Sequence, residues 1–153
     1  MPPRKARIAV VLDTNVVVGY YLSRRLLSTN SRVFRLWRDE RKLQLIISAP
    51  IMEEYLEVLV RLKVAERQID HLAERLRRRT TVTHVQLGAR PRASRDPDDN
   101  PILATAMAGR VKFLVTNDRD LLEIDQSEKR KFRFEIITPA KFLSWLRAEN
   151  LNP

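Results

Sequence analysis

Two hydrophobic rhythms alternate along this chain. Short unbroken apolar runs, rich in β-branched residues, give way to stretches where apolar side chains recur every three or four positions. The first kind predicts buried strands and the second amphipathic helices. Arg7 to Leu12 is the first strand, and Asp13-Thr14-Asn15 is a helix-start signal before "VVVGYYL". Asn30-Ser31 is expected to cap a second helix that turns Val33, Phe34, Leu36 and Trp37 inward. "LQLIIS", Leu43 to Ser48, predicts a second strand. Ala49 to Lys63 carries Met52, Tyr55, Leu56, Leu59 and Leu62 at helical spacing, and a helix over about Ala65 to Arg79 aligns Ile69, Leu72 and Leu76. Thr81 to Val85 is a short strand, and a Pro- and Arg-containing loop follows to about Pro97. Asp98 to Ala108 is expected to be helical and Lys112 to Thr116 a strand, with Asp118 opening a short helical turn. "FRFEIIT" is the last strand, and Pro139 suits the first position of a terminal helix.

Strands separated by helices imply an α/β fold: three layers, with a mostly parallel sheet of about five strands and helices on both faces. In such sheets ligands bind outside the carboxyl ends of the strands. Asp13 and Asp118 each follow directly on a strand, so both are expected at one edge of the sheet.

Composition narrows the chemistry. At 153 residues the chain is expected to be one domain, 1–153. It has no Cys, which excludes disulfides, thiol catalysis and Cys-ligated zinc and fits a reducing cytoplasm. Its longest apolar runs fall far below the ~20 residues of a membrane span. The N-terminal run ends at Asp13, too early for a secretory leader. With 29 Lys plus Arg against 19 Asp plus Glu, the net charge of +10 favours a polyanion, and nucleic acid is the commonest one.

Against that basic background, "DPDDNPILATAMAGRVKFLVTNDRDLL", Asp96 to Leu122, sets three carboxylates in four residues and ends on Asp118 and Asp120. Each acid alone has an ordinary reading as a helix cap. Together, at converging strand ends and beside Thr14, Asn15, Asn100, Thr116 and Asn117, they form a different pattern. Carboxylates within ~4 Å repel by about 4 kcal/mol per pair at an effective dielectric of ~20, which a bound cation relieves. Hard oxygen donors without Cys point to Mg²⁺ or Mn²⁺. The helix from Ala49 offers Glu53, Glu54 and Glu57. At ~100° per residue its apolar stripe centres between Tyr55 and Leu59, with Glu54 on the rim and the other two farther round.

The ordered set "VVLDTNVVV", "ISAPIMEEYLEVLVR", "DPDDNPILATAMAG" and "FLVTNDRDLL" resembles the PIN domain family, and within it the VapC-like bacterial toxins, the ribonuclease half of toxin–antitoxin pairs. The resemblance runs from about Ala6 to Leu146. It implies a PIN-like fold whose acidic positions fall on Asp13, Glu54, Asp99 and Asp118, with Asn15 and Thr116 as polar supports. Among Asp96, Asp98 and Asp99 the third aligns best, and Asp120 stands as the alternative to Asp118. The implied activity is Mg²⁺- or Mn²⁺-dependent hydrolysis of RNA phosphodiester bonds. The metal would be held by Asp13 and Asp99, with Asp118 and Glu54 binding directly or through water. The implied partners are RNA, a cognate antitoxin protein, DNA only through that antitoxin, and a second copy of the chain in a dimer.

Arg24, Arg25, Arg92 and Arg95 are the candidates for RNA phosphates. His71 reads as a helix-surface residue, Trp37 and Trp145 read as core, and three glycines form no phosphate-cradling loop. Two other readings use the same fold: a non-cleaving module that binds nucleic acid or a partner, and a housekeeping RNA-processing nuclease.

Overall fold

The computed structural model describes residues 6–23, 28–88 and 100–151. Five strands form one sheet in the order β3-β2-β1-β4-β5, and every pairing is parallel. They are β1 (Ile8–Leu12), β2 (Leu43–Ile47), β3 (Val82–His84), β4 (Phe113–Val115) and β5 (Glu135–Ile137). Parallel strands covered on both faces have no solvent side to serve, so they read as continuous apolar runs. Val10, Val11 and Leu12 of β1 and all of β4 are accordingly buried.

The helices are α1 (Thr14–Leu22), α2 (Thr29–Arg38), α3 (Ala49–Arg61), α4 (Glu66–Leu76), α5 (Pro101–Ala108), α6 (Arg119–Leu122), α7 (Gln126–Lys129) and α8 (Pro139–Ala148). They cover both faces in a three-layer α/β arrangement. Helix α2 packs with α8, α3 packs with α4 and α5, and α1 touches both α2 and α3. Aromatic rings bind the α1–α2 pair: Tyr20 lies on Phe34 at 4.4 Å between centroids, and Tyr21 meets Phe34 edge-on at 5.7 Å. Val16 and Val17 of "VVVGYYL" point into the core.

Local chemistry sets the boundaries, and some differ from the expected ones. Ser28, not Asn30-Ser31, caps α2, its Oγ accepting from the Ser31 amide at 3.2 Å. That frees the Asn30 side chain for another role. Helix α5 begins at Pro101 rather than Asp98, because Asn100 Oδ1 accepts from the Ile102 amide and Pro takes the first turn. Thr138 caps α8 with Pro139 first in the helix. The short α7 has no apolar periodicity to announce it. Trp37 is fully buried and donates Nε1–H to the Thr81 carbonyl at 3.1 Å. Trp145 is only half-buried, lying across Phe113 with Lys112 over its ring at 4.8 Å. His71 is exposed on α4.

Helix α5 lies close over β1, β2 and β4. At Gly109, which caps its C-terminus, an added Cβ would sit 2.3 Å from Ile46 Cγ2 on β2. Gly109→Ala should therefore destabilise the protein by about 1–3 kcal/mol through overpacking. Urea melts of the two proteins would measure it, and an unchanged midpoint would show that α5 can lift without cost.

Candidate active site

The site forms where β1 and β4 end side by side. Pairing of Leu12 with Val115 is extended one step by the Asp13 amide, which donates to the Val115 carbonyl at 2.9 Å. Asp13 thus leaves the sheet at a fixed point and caps α1, with Oδ1 accepting from the Thr14 amide at 2.8 Å. Its other oxygen, Oδ2, accepts from Thr116 Oγ1–H at 2.6 Å and from Asn15 Nδ2–H at 3.1 Å. Three donors therefore converge on one half-buried carboxylate. Burial nonetheless wins: it pushes the Asp13 pKa up, the nearby Asp118 charge adds to that rise, and the three hydrogen bonds pull the other way.

Thr116 is fully buried and serves two carboxylate-bearing segments at once. Its hydroxyl proton goes to Asp13, while its oxygen accepts from the Asp118 amide at 2.9 Å and lies 3.5 Å from Asn15 Nδ2. Asp118 is exposed and caps α6, its Oδ1 accepting from the Asp120 amide at 2.9 Å. Asp120 lies in the first turn of that helix, and of the two acids it is Asp118 that lines the cleft.

A cleft of about 320 Å³ opens over these groups, its lining including Asp13, Asp118 and Leu121 together with Ile51, Glu54 and Asn100. Glu54 is exposed on the first turns of α3 and lines the cleft; Glu53 and Glu57 do not. Asp96, Asp98 and Asp99 lie outside the described residues, as do Arg24, Arg25, Arg92 and Arg95. Asn100, next in sequence after Asp99, is in the cleft wall. Among the described residues no three His, Asp or Glu side chains group closely enough to hold a metal by themselves.

Two buried links that the sequence did not single out hold the walls in register. Tyr55, beside Glu54 and fully buried, donates its hydroxyl to the Leu12 carbonyl, one residue before Asp13. Burial holds its pKa well above the tyrosine range, and the charges of Asp13 and Glu54 push the same way, so it stays a donor. Ser48 Oγ lies 2.7 Å from Thr105 Oγ1, which itself donates to the Pro101 carbonyl at 2.6 Å. With the Thr105 proton committed to Pro101, Ser48 is the donor, and the starts of α3 and α5 are tied together. Spacing marks Tyr55 only as an apolar-face residue, and nothing in a sequence pattern pairs Ser48 with Thr105.

The donor set suits a hard divalent cation. It consists of carboxylates with neighbouring hydroxyl and amide oxygens, with no thiolate and no clustered imidazole. Thr14 Oγ1, buried next to Asp13, is the one buried side-chain polar atom among the described residues without a hydrogen-bond partner.

Asp13 carries a pH signature. Its folded-state pKa lies above the unfolded value, so the folded protein holds the proton more tightly. Stability from this group is therefore greatest at low pH and is lost as pH rises through the raised pKa. Thr116→Val removes a donor to the charged form and should raise the Asp13 pKa further. Carboxyl carbon titration by NMR in the metal-free protein reads this directly, and a downward move would contradict the hydrogen-bond assignment.

No curated protein matches the chain significantly. The family model described as PIN domain matches residues 9–120, which span β1 to α6 and every acidic residue that the cleft brings together. PIN domains are generally nucleases, and those nucleases generally use divalent metals. The chain belongs to the PIN domain family and has its nuclease-type fold.

Proposed function

We propose that this protein is a metal-dependent endoribonuclease, the toxin of a toxin–antitoxin pair. The observation that carries the reading is the Asp13 carboxylate, half-buried at a strand end, held by three donors and lining one cleft with Asp118 and Glu54. Burying a carboxylate beside a second one is costly, and a cation between them repays that cost.

In this reading Asp13 and Asp99 hold Mg²⁺ or Mn²⁺, and Asp118 and Glu54 bind it directly or through water. The ion, when bound, supplies an activated water and stabilises charge on the phosphoryl oxygens. Thr116 and Asn15 keep Asp13 anionic and fix its direction, because each gives it a proton donor and neither can be displaced without stranding Asp118 or Asn117. The basic surface, with Arg24, Arg25, Arg92 and Arg95 as candidates, draws in the phosphates that the acids repel. The partners that follow are RNA, a neutralising antitoxin, DNA only through that antitoxin, and a second copy of the chain. No helix among the described residues is long and apolar enough to cross a membrane.

Cleavage of a mixed single-stranded RNA pool with Mn²⁺ or Mg²⁺ should be abolished both by EDTA and by Asp13→Ala, with the variant still folded by circular dichroism. Loss of the metal-binding carboxylate should cost at least ~100-fold in rate. Cutting that survives both treatments would discard the assignment, and tight RNA binding without cutting would put the non-cleaving module in its place. The same reading expects Mn²⁺ to raise the melting temperature at neutral pH in the wild type and not in Asp13→Ala. Thermal melts with and without the ion measure this, and equal shifts in both proteins would move the ion elsewhere.

A further inference from the structure

We propose that Asn30 is a positioning residue for the Asp13 carboxylate, acting across the fold through Asn117 and Asn15. Asn30 stands in the first turn of α2, where Ser28 has already taken the capping role. Its side-chain oxygen accepts instead from Asn117 Nδ2–H at 2.9 Å, 87 residues away in the chain. The other proton of that Asn117 amide goes to Asn15 Oδ1 at 3.3 Å, and the Asn117 backbone amide donates to the same oxygen at 3.2 Å. With its oxygen occupied by two donors, Asn15 must turn its NH₂ to Asp13 Oδ2. The polarity of this row is set at Asn15, between the Asp13 carboxylate and the Asn117 backbone N–H, and the Asn117 and Asn30 amides align to it in turn.

The seat of Asn30 is built into α1 as well. A Cβ on Gly19 would come 2.4 Å from Asn30 Nδ2 and 2.9 Å from its Cγ. A glycine inside a helix costs about 1 kcal/mol relative to alanine. Here the missing side chain leaves the room that the Asn30 amide fills. The α2 end of the α1–α2 hairpin is thereby keyed, through the amides of Asn30, Asn117 and Asn15, to the turn that carries Asp118 and to the carboxylate of Asp13. Asn30 touches neither Asp13 nor the cleft wall, so it acts through others.

The test uses the full chain, ¹⁵N-labelled and free of metal, as wild type, Asn30→Ala and Asn30→Asp, with Gly19→Ala as a second route to the same displacement. In Asn30→Ala and Gly19→Ala the side-chain amide signals of both Asn117 and Asn15 should shift. In Asn30→Asp, which keeps the acceptor, both should stay near their wild-type positions. Mn²⁺ affinity by calorimetry should fall about threefold to tenfold in Asn30→Ala, the scale of lost outer-shell support. A lowered melting temperature with the Asn15 signal unmoved would make Asn30 a packing residue only and overturn the proposal. This inference rests on the site described above rather than on cleavage. If the wild type cuts no RNA or binds no Mn²⁺, the functional reading falls and the amide signals still decide the role of Asn30.

Discussion

The hydrogen bond from the Asp13 amide to the Val115 carbonyl sets the geometry of everything above it. It continues the β1–β4 ladder one residue past Leu12, so the backbone at Asp13 cannot slide along the sheet. The Thr116 amide does the same towards β5, donating to the Ile137 carbonyl at 2.9 Å. Three neighbouring strands therefore end level, and the side chains that leave those ends are presented at one height. A one-residue slip would turn each of them to the other face of the sheet.

What stands on that ledge is a balance between desolvation and hydrogen bonding. Asp13 is buried enough that its charge is disfavoured, yet it is furnished only with donors, which serve an anion. Thr116 is the hinge of this arrangement because its single hydroxyl faces one carboxylate segment as donor and the other as acceptor. The opposite wall is fixed by a different device, the Tyr55 hydroxyl on the Leu12 carbonyl, which ties α3 to β1 just below the acids. The cleft is thus rigid at its base and exposed at Glu54 and Asp118, an arrangement suited to holding something charged while leaving one side open. That cleft is acidic within a chain whose net charge is +10.

Much of the fold was legible because parallel strands and amphipathic helices write their periods plainly. "IAVVL" has no polar interruption because both faces are covered, "LQLII" admits only the half-buried Gln44, and α3 keeps Ile51, Tyr55 and Leu59 on one side. Boundaries were less legible where two residues compete for one job. Ser28 and Asn30 are both good caps, and only the presence of Asn117 across the fold decides between them. Of the candidate site, Asp13 could be placed because a carboxylate directly after an apolar strand has one place to go; Asp118 reaches the same edge although β4 ends at Val115, two residues earlier than a direct strand-end position requires. Glu54 could be placed by helical rotation. Tyr55, Ser48 and Thr105 could not, because their polar atoms matter only through partners 43 and 57 residues away. The α7 turn, all polar, left no trace in the pattern at all.

The strand order has a temporal side. β1 is made first but ends up between β2 and β4, and Asp13 finds Thr116 only across 103 residues of chain. Closing so long a loop costs entropy that only the finished central sheet repays. A nascent chain halted before β4 can already pair β1 with β2, and yet it lacks the hydroxyl that orients Asp13, the carboxylate of Asp118 and one wall of the cleft. The acidic cleft is therefore a property of the whole stretch from β1 to β4: no shorter length of chain holds both Asp13 and the hydroxyl that orients it.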